Sequence, residues 1–144
     1  MTGKKVSEGI VIGRLVFFNR GEREIRKIYV EDAEKELVRF QKARKKTAAE
    51  IRELYEESAS ELGEANATIF EMQQMVLDDE EFVNRVVRII TDQKLNAEYA
   101  VKESVEDFLK VFSARPESYV RGHEADVQDV ASRILRILSR SRKD

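Results

Sequence analysis

The sequence predicts a mainly helical protein: antiparallel helical hairpins form a bundle, preceded by one or two short N-terminal β-strands. Charged residues make up 38% of the 144 residues and apolar residues 42%, with one proline and six glycines. This composition is typical of long helices with charged surfaces. Apolar residues recur at helical spacing after residue 32, whereas strand-like enrichment in Val, Ile, Leu and Phe is confined to the beginning of the chain.

The first 30 residues contain the strand signals. Residues 6–18 are rich in β-branched and aromatic residues, with two glycines inside, and residues 19–21 (NRG) indicate a turn. Residues 25–30 predict a second short strand. Two strands cannot form an independent sheet core. We therefore expect them either to pair with chain outside this sequence or to pack on the helices.

The helical part begins with a long amphipathic stretch. Asp32 is the predicted N-cap, and apolar residues follow a 3.6-residue period over residues 33–62. Gly63 is predicted to end this helix. A second helix is expected over residues 64–77, so that the two would form a hairpin.

Three further helices are predicted from cap signals and periodicity. Asp78, followed three residues later by Glu81, resembles a capping box at the start of the third helix. Asn96 is expected to cap the fourth helix. Pro116 suits a first helical position, and the last helix carries its apolar stripe over residues 127–138.

Composition also excludes several classes of function. The chain has no cysteine, which excludes a disulfide framework and thiolate metal ligands and fits a reducing cytoplasm. No apolar run approaches the roughly 20 residues of a membrane span, and no signal-peptide core follows the first residues. The formal net charge of −2 gives no bias towards nucleic acid. We expect a soluble, cytoplasmic protein.

An acidic segment stands out at residues 64–81, which contain six Asp or Glu residues and no Lys or Arg. Such a segment would attract a basic partner, but the residues alone favour a solvated face with acids at helix ends. Met72, Met75, Val76 and Phe82 lie among these acids. They predict either an apolar docking patch ringed by charge, with Met72, Met75 and Val76 on one face, or ordinary core packing.

Four segments of the sequence match, in order, the motifs of one known protein family. Residues 7–13 (SEGIVIG) resemble its opening strand S-P-G-I-A-I-G, and residues 69–81 (IFEMQQMVLDDEE) its A-I-F-E-x-H-x-M-L-L-x-D-x-E stretch. Residues 95–101 (LNAEYAV) match a family helix start. Residues 125–138 (ADVQDVASRILRIL) resemble A-D-[IV]-R-D-[IV]-x-x-R-[IL]-L. In their order and spacing, the four segments together resemble the Enzyme I family of the bacterial sugar phosphotransferase system.

The resemblance implies a function. Enzyme I moves a phosphoryl group from phosphoenolpyruvate to its own histidine, using magnesium, and then to a histidine of the phosphocarrier HPr. Residues 1–30 would be a strand segment of an incomplete phosphohistidine α/β domain, and residues 31–144 the helical HPr-binding domain. The family's active-histidine motif, G-G-x-T-S-H, does not occur in this sequence. We therefore expect no catalytic residue, metal ligand or cofactor in this chain, and a parent enzyme that dimerises through a C-terminal domain.

The resemblance also implies which residues dock HPr, which presents a basic and apolar patch around its active histidine. Met75, Val76 and Phe82 are the expected apolar contacts, with Phe112 and Val120 at apolar positions that line the family's docking surface. Charged residues of the acidic segment would steer the encounter. The predicted docking residues are Glu64, Glu71, Gln73, Met75, Val76, Glu80, Glu81, Phe82, Phe112, Val120 and His123.

Three residues depart from the family pattern. Gln73 stands where the family usually has a histidine, and His123 and Gln128 stand where it usually has arginines. His123 is the only histidine, so it could act as a phosphate acceptor or a pH switch. It lacks any neighbouring nucleophile pattern, and we favour a place on the docking rim or in solvent.

Asp126 and Asp129 are three residues apart and are expected to share a helix face. Such carboxylates could bind a cation or act as acid and base. No further ligand is visible in the sequence, and in the family this motif lies near the groove between the helical and α/β parts. We therefore prefer an interdomain polar contact.

Two alternative functions remain open. The departures at Gln73, His123 and Gln128 would suit a paralogue from a regulatory or dihydroxyacetone-kinase phosphotransfer branch, docking a different HPr-like carrier. A non-enzymatic helical scaffold is the other alternative. The arginine-rich end of the last helix could touch nucleic acid, but it lacks interleaved aromatic residues, so we expect neither a nucleic-acid nor a membrane partner.

Overall fold

The computed structural model describes residues 25–118 and 120–143, without the side chains of residues 58–67, 113, 142 and 143. It contains four helical elements: α1 (Ala33–Asp78), α2 (Glu80–Gln93), α3 (Ala97–Ser113) and α4 (Glu124–Lys143). The prediction of a helical bundle is confirmed. The strand predicted over residues 6–18 lies outside the described residues.

Element α1 folds back on itself. The Arg44 guanidinium donates to the Leu77 carbonyl oxygen at 2.6 Å, and the rings of Tyr55 and Phe70 pack edge-on with centroids 6.0 Å apart. A straight helix rises 1.5 Å per residue and would separate Arg44 from Leu77 by about 50 Å. The chain direction therefore reverses between Tyr55 and Phe70.

This reversal produces the predicted hairpin in a different form. No loop separates the two predicted helices at Gly63, because the backbone is locally helical at every residue from 33 to 78. The stretch that contains Gly63 is nevertheless where the direction changes. We call residues 33–55 the first limb of α1 and residues 70–78 its second limb.

A single residue, Asp79, separates α1 from α2. Its backbone N–H donates to the Val76 carbonyl oxygen at 3.1 Å, and its carboxylate accepts from the backbone N–H groups of Glu81 and Phe82 at 2.9 and 3.2 Å. The predicted cap at Asp78 is wrong because α1 still includes that residue. The predicted cap at Asp32 is confirmed by its 3.2 Å hydrogen bond from the Lys35 N–H.

Asn96 occupies the N-cap position of α3, but its side chain has a different role from the one predicted. Its amide oxygen accepts from the Ile28 N–H at 2.9 Å, and its amide nitrogen donates to the Arg26 carbonyl oxygen at 3.0 Å. The carboxylate of Glu36 instead accepts from the Ala97 N–H at 2.9 Å. A residue from the first limb thus satisfies a donor at the start of α3.

The segment over residues 25–30 is extended and packs on the helices. Tyr29 forms an isolated antiparallel bridge with Leu95 in the α2–α3 connection. The Val30 N–H donates to the Lys94 carbonyl oxygen at 2.9 Å, and the Asn96 N–H donates to the Ile28 carbonyl oxygen at 3.0 Å. Within the described residues this pairing does not extend into a sheet.

The core is built from the apolar stripes of all four helical elements. Four phenylalanines cross it as successive edge-on pairs: Phe40–Phe82, Phe82–Phe108 and Phe108–Phe112 have centroid separations of 6.4, 6.0 and 4.4 Å. These rings join the first limb to α2 and α3. In the part of the chain that the structure describes, no helix is long and apolar enough to cross a membrane.

Candidate docking face

The acidic face consists of Glu71, Met75, Asp78, Glu80 and Glu81. Met75 is 52% exposed, and Glu71 precedes it by one helical turn on the second limb. Asp78 follows Met75 by three residues and its side chain is 79% exposed. Glu80 and Glu81 are exposed in the first turn of α2. An accessible thioether therefore lies among carboxylates.

Four of the predicted apolar contacts are buried instead. Val76, Phe82, Phe112 and Val120 all belong to the core, so the structure does not expose them to a partner, and their docking role stays a prediction. The predicted common face of Met72, Met75 and Val76 is wrong. Met72 and Val76 are four residues apart and face the core, whereas Met75 is rotated by about 100° from Val76 and points outwards.

Gln73 is also buried, with 3% of its surface exposed. Its side-chain amide nitrogen lies 3.2 Å from the Asp126 carbonyl oxygen and 3.3 Å from the Asp129 carboxylate. A buried amide needs such acceptors, because an unpaired donor in the interior is costly. Gln73 thus connects the second limb to the start of α4, and its docking role stays a prediction.

His123 lies at the entry to α4, half-buried, with 35% of its side chain exposed. Its carbonyl oxygen accepts from the N–H groups of Asp126 and Val127, both at 3.0 Å. Its Nδ1 lies 3.1 Å from the Asp126 carboxylate. An ionised carboxylate can only accept, so Nδ1 carries the hydrogen in this pair. Pro116 lies in the turn before this point and does not begin a helix, contrary to prediction.

Gln73 contacts both predicted interdomain aspartates, through the backbone carbonyl oxygen of Asp126 and the carboxylate of Asp129, whereas the Asp126 carboxylate pairs with His123. The Asp129 carboxylate also accepts from the Arg133 guanidinium at 3.4 Å, and Arg133 lies 3.9 Å from Glu50. Both aspartates thus have partners inside the bundle, and their predicted interdomain contact stays a prediction. Among the described residues, no group of three or more potential ligands could hold a metal ion.

Of the remaining predicted residues, Glu71, Glu80 and Glu81 lie at the surface as expected. The side chain of Glu64 lies outside the described residues. The sequence interpretation overlooked Asp78 as a surface acid because it assigned that residue to a cap. Recognition that α1 continues through Asp78 would have placed this carboxylate beside Met75.

Comparison with known proteins defines the family. The structure is a helical module with an exposed acidic face. The sequence model of the family described as PEP-utilising enzyme, N-terminal, matches residues 2–122 of the chain. The chain belongs to this family of phosphoenolpyruvate-utilising enzymes.

The curated relatives are phosphoenolpyruvate-protein phosphotransferases. The protein from Enterococcus faecalis is 33% identical over 136 residues, which cover 94% of this chain and 24% of that protein. The protein from Bacillus subtilis is 31% identical over 134 residues, covering 93% and 24%. The chain thus spans about a quarter of the length of the curated relatives that it matches.

Solved structures support the same relationship. A solution structure of the Enzyme I protein nEIt aligns with a TM-score of 0.71 at 29% identity, covering 81% of this chain and 48% of that one. The N-terminal domain of Enzyme 1 – Nitrogen aligns with a TM-score of 0.72 at 24% identity, covering 82% and 49%. The second likeness supports the fold alone. The chain is therefore homologous to the N-terminal domain of Enzyme I.

Proposed function

We propose that this chain docks the phosphocarrier HPr for a phosphoenolpyruvate-protein phosphotransferase, in the phosphoryl transfer that drives sugar uptake. The acidic face carries this proposal. Met75 offers an adaptable apolar anchor, and Glu71 and Asp78 flank it with negative charge. A carrier whose active histidine lies in a basic and apolar patch is complementary to such a face.

The two kinds of side chain on the acidic face would contribute differently. Exposed carboxylates mainly raise the association rate with a basic partner, and salt screens this effect. The buried contact of Met75 would mainly slow dissociation, because an anchor at the centre of an interface loses its water. Added salt should therefore weaken binding without abolishing the contribution of Met75.

In this proposal the module holds HPr so that its histidine lies close to the phosphorylated histidine of the parent protein. Holding donor and acceptor in line replaces a bimolecular encounter by an effectively unimolecular step. The histidine that donates the phosphoryl group and the magnesium site would belong to other parts of the parent protein. His123, already paired with Asp126, is not assigned a catalytic role.

A titration of isotope-labelled HPr with this chain, at low and high salt, tests the proposal. A double variant, Met75→Ala with Glu80→Lys, should lose most binding. The matched control is Val38→Ala with Asp92→Lys, which changes an exposed apolar residue and an exposed acid outside the acidic face. Binding should be salt-sensitive and should survive in the control. No binding of HPr at low salt would refute the proposal.

A second candidate is a paralogue that docks a different HPr-like carrier in a regulatory or dihydroxyacetone-kinase branch. This candidate is supported by two residues that depart from the family pattern, Gln73 and His123. Both contact Asp126, which lies in the first turn of α4. Parallel titrations with carriers of each branch would separate the two candidates. If the chain binds no carrier of either branch, the helical scaffold is the better description.

A further inference from the structure

A second charged surface lies between the first limb of α1 and the last turns of α4. It is a groove of about 460 Å³, which we call the cationic groove. Val38, Ala43 and Ile137 provide its apolar lining, and Val38 is among the exposed large apolar residues of the chain. The remaining lining residues are Lys35, Arg39, Lys42, Lys46, Arg140 and Ser141.

The charge of the groove has one sign. All five of its ionisable lining residues are cations, and within the described part of the chain the lining contains no Asp or Glu. Arg39 is held by Glu36 and Glu98 at 2.7 and 3.0 Å, so its charge is compensated inside the bundle. The other four cations leave a positive potential over an apolar surface, which favours an anionic occupant.

The spacing of these cations matches an elongated occupant. Lys35, Lys42 and Lys46 follow the first limb over 11 residues, or about 16 Å at 1.5 Å per residue. Arg140 lines the same groove from α4. A single small anion covers only a few ångströms, whereas a helix of three turns has this length. Its apolar residues would pack on Val38 and Ile137 while its carboxylates reach the cations.

Nucleic acid fits this surface less well than a peptide. Proteins that bind single strands commonly stack bases on aromatic side chains, and the described lining of the groove has none. We propose that the cationic groove docks an acidic amphipathic helix of a partner protein. This site is separate from the acidic face, because Asp78 of that face pairs with Arg44, which is rotated by about 200° from Lys42 around the first limb. Its failure would therefore leave the proposed docking of HPr untouched.

The probe is a synthetic peptide of about 15 residues, roughly four helical turns, with leucines on one face and glutamates beside them. A scrambled peptide of the same composition keeps the charge and removes the amphipathic pattern. Calorimetric titration of the 144-residue chain should give about tenfold tighter binding for the amphipathic peptide. Equal binding of both peptides would overturn the proposal, since charge alone would then explain it.

Paired variants locate the site. Lys42→Glu with Arg140→Glu should weaken the peptide about tenfold, and Val38→Asp should do so without removing a cation. Arg88→Glu with Lys94→Glu makes the same charge change at exposed residues outside the groove and should alter binding less than about twofold. Circular dichroism checks that each variant keeps its helices.

Two kinds of result would contradict the proposal that the cationic groove docks an acidic helix. An equal loss in the Arg88 and Lys94 control would indicate diffuse electrostatic attraction. Displacement of the peptide by tripolyphosphate, or tighter binding of a single-stranded oligonucleotide at the same residues, would indicate a general polyanion site. Amide shifts confined to the first limb and the end of α4 would support peptide docking.

Discussion

The side-chain amide of Gln73 lies 3.3 Å from the carboxylate of Asp129, although 56 residues separate the two along the chain. The same nitrogen is 3.2 Å from the Asp126 carbonyl oxygen. One buried amide therefore fixes the second limb of α1 against the first turns of α4. Met75 lies on the second limb and His123 immediately precedes α4, so the contact joins the two parts of the chain that position these residues.

Removal of this amide should destabilise the protein. Gln73→Leu deletes both hydrogen bonds of the buried amide, which should lower the free energy of unfolding by about 1–2 kcal/mol. Urea denaturation measures the change. Gln93→Leu, at an exposed position at the end of α2, is the control and should change it by less than about 0.5 kcal/mol. Equal effects of the two variants would mean that the Gln73 contacts contribute nothing.

The cap of α2 gives a second prediction. Asp79→Ala removes the acceptor for two backbone N–H groups and should cost about 1 kcal/mol of stability. Asp78→Ala should have little effect, because its pairing with Arg44 is exposed. Thermal or urea unfolding of both variants compares them directly. A larger loss for Asp78→Ala would indicate that the cap is one residue earlier, as the sequence had suggested.

Helical periodicity was sufficient to predict the bundle and most of its helices, because each amphipathic stripe must be buried against another element. Whether one apolar residue on such a stripe reaches the surface depends on rotation relative to neighbouring helices. Met75 and Val76 are adjacent and equally apolar in the sequence, yet one is exposed and the other buried. Both residues lie in the same acidic segment, so the sequence does not distinguish the exposed residue from the buried one.

Polar residues were harder to place for a related reason. Gln73 and Asn96 have the side chains of surface or cap residues, and only distant partners make their burial favourable. Those partners are Asp129 on α4 and the backbone of residues 26–28. A single sequence contains no signal for such long-range pairs. The polar network around Arg39 was missed for the same reason.

Arg39 should be the most sensitive charged residue of the bundle. Its guanidinium contacts Glu36, Glu98 and the Leu138 carbonyl oxygen at 2.7, 3.0 and 2.7 Å. Arg39→Met removes the cation that offsets two buried carboxylates and should cost about 3 kcal/mol or more. Arg88→Met, on the exposed side of α2, should stay within about 0.5 kcal/mol. Chemical denaturation of both variants measures the two changes in the free energy of unfolding. Comparable stabilities of the Arg39→Met and Arg88→Met variants would mean that the network is energetically neutral.

Met75 and Val76 allow docking and folding to be separated at neighbouring positions. Met75→Ala should leave the free energy of unfolding within about 0.5 kcal/mol, because the side chain is half exposed, but should weaken HPr binding about tenfold. Val76→Ala should lower stability by about 2 kcal/mol through the cavity that it creates, and should change affinity less than about threefold once binding is measured well below the unfolding temperature. Calorimetric titration and urea denaturation of both variants provide the four values. The reverse pattern, with affinity lost at Val76 and retained at Met75, would show that the carrier binds a rearranged surface and would remove the acidic face as its docking site.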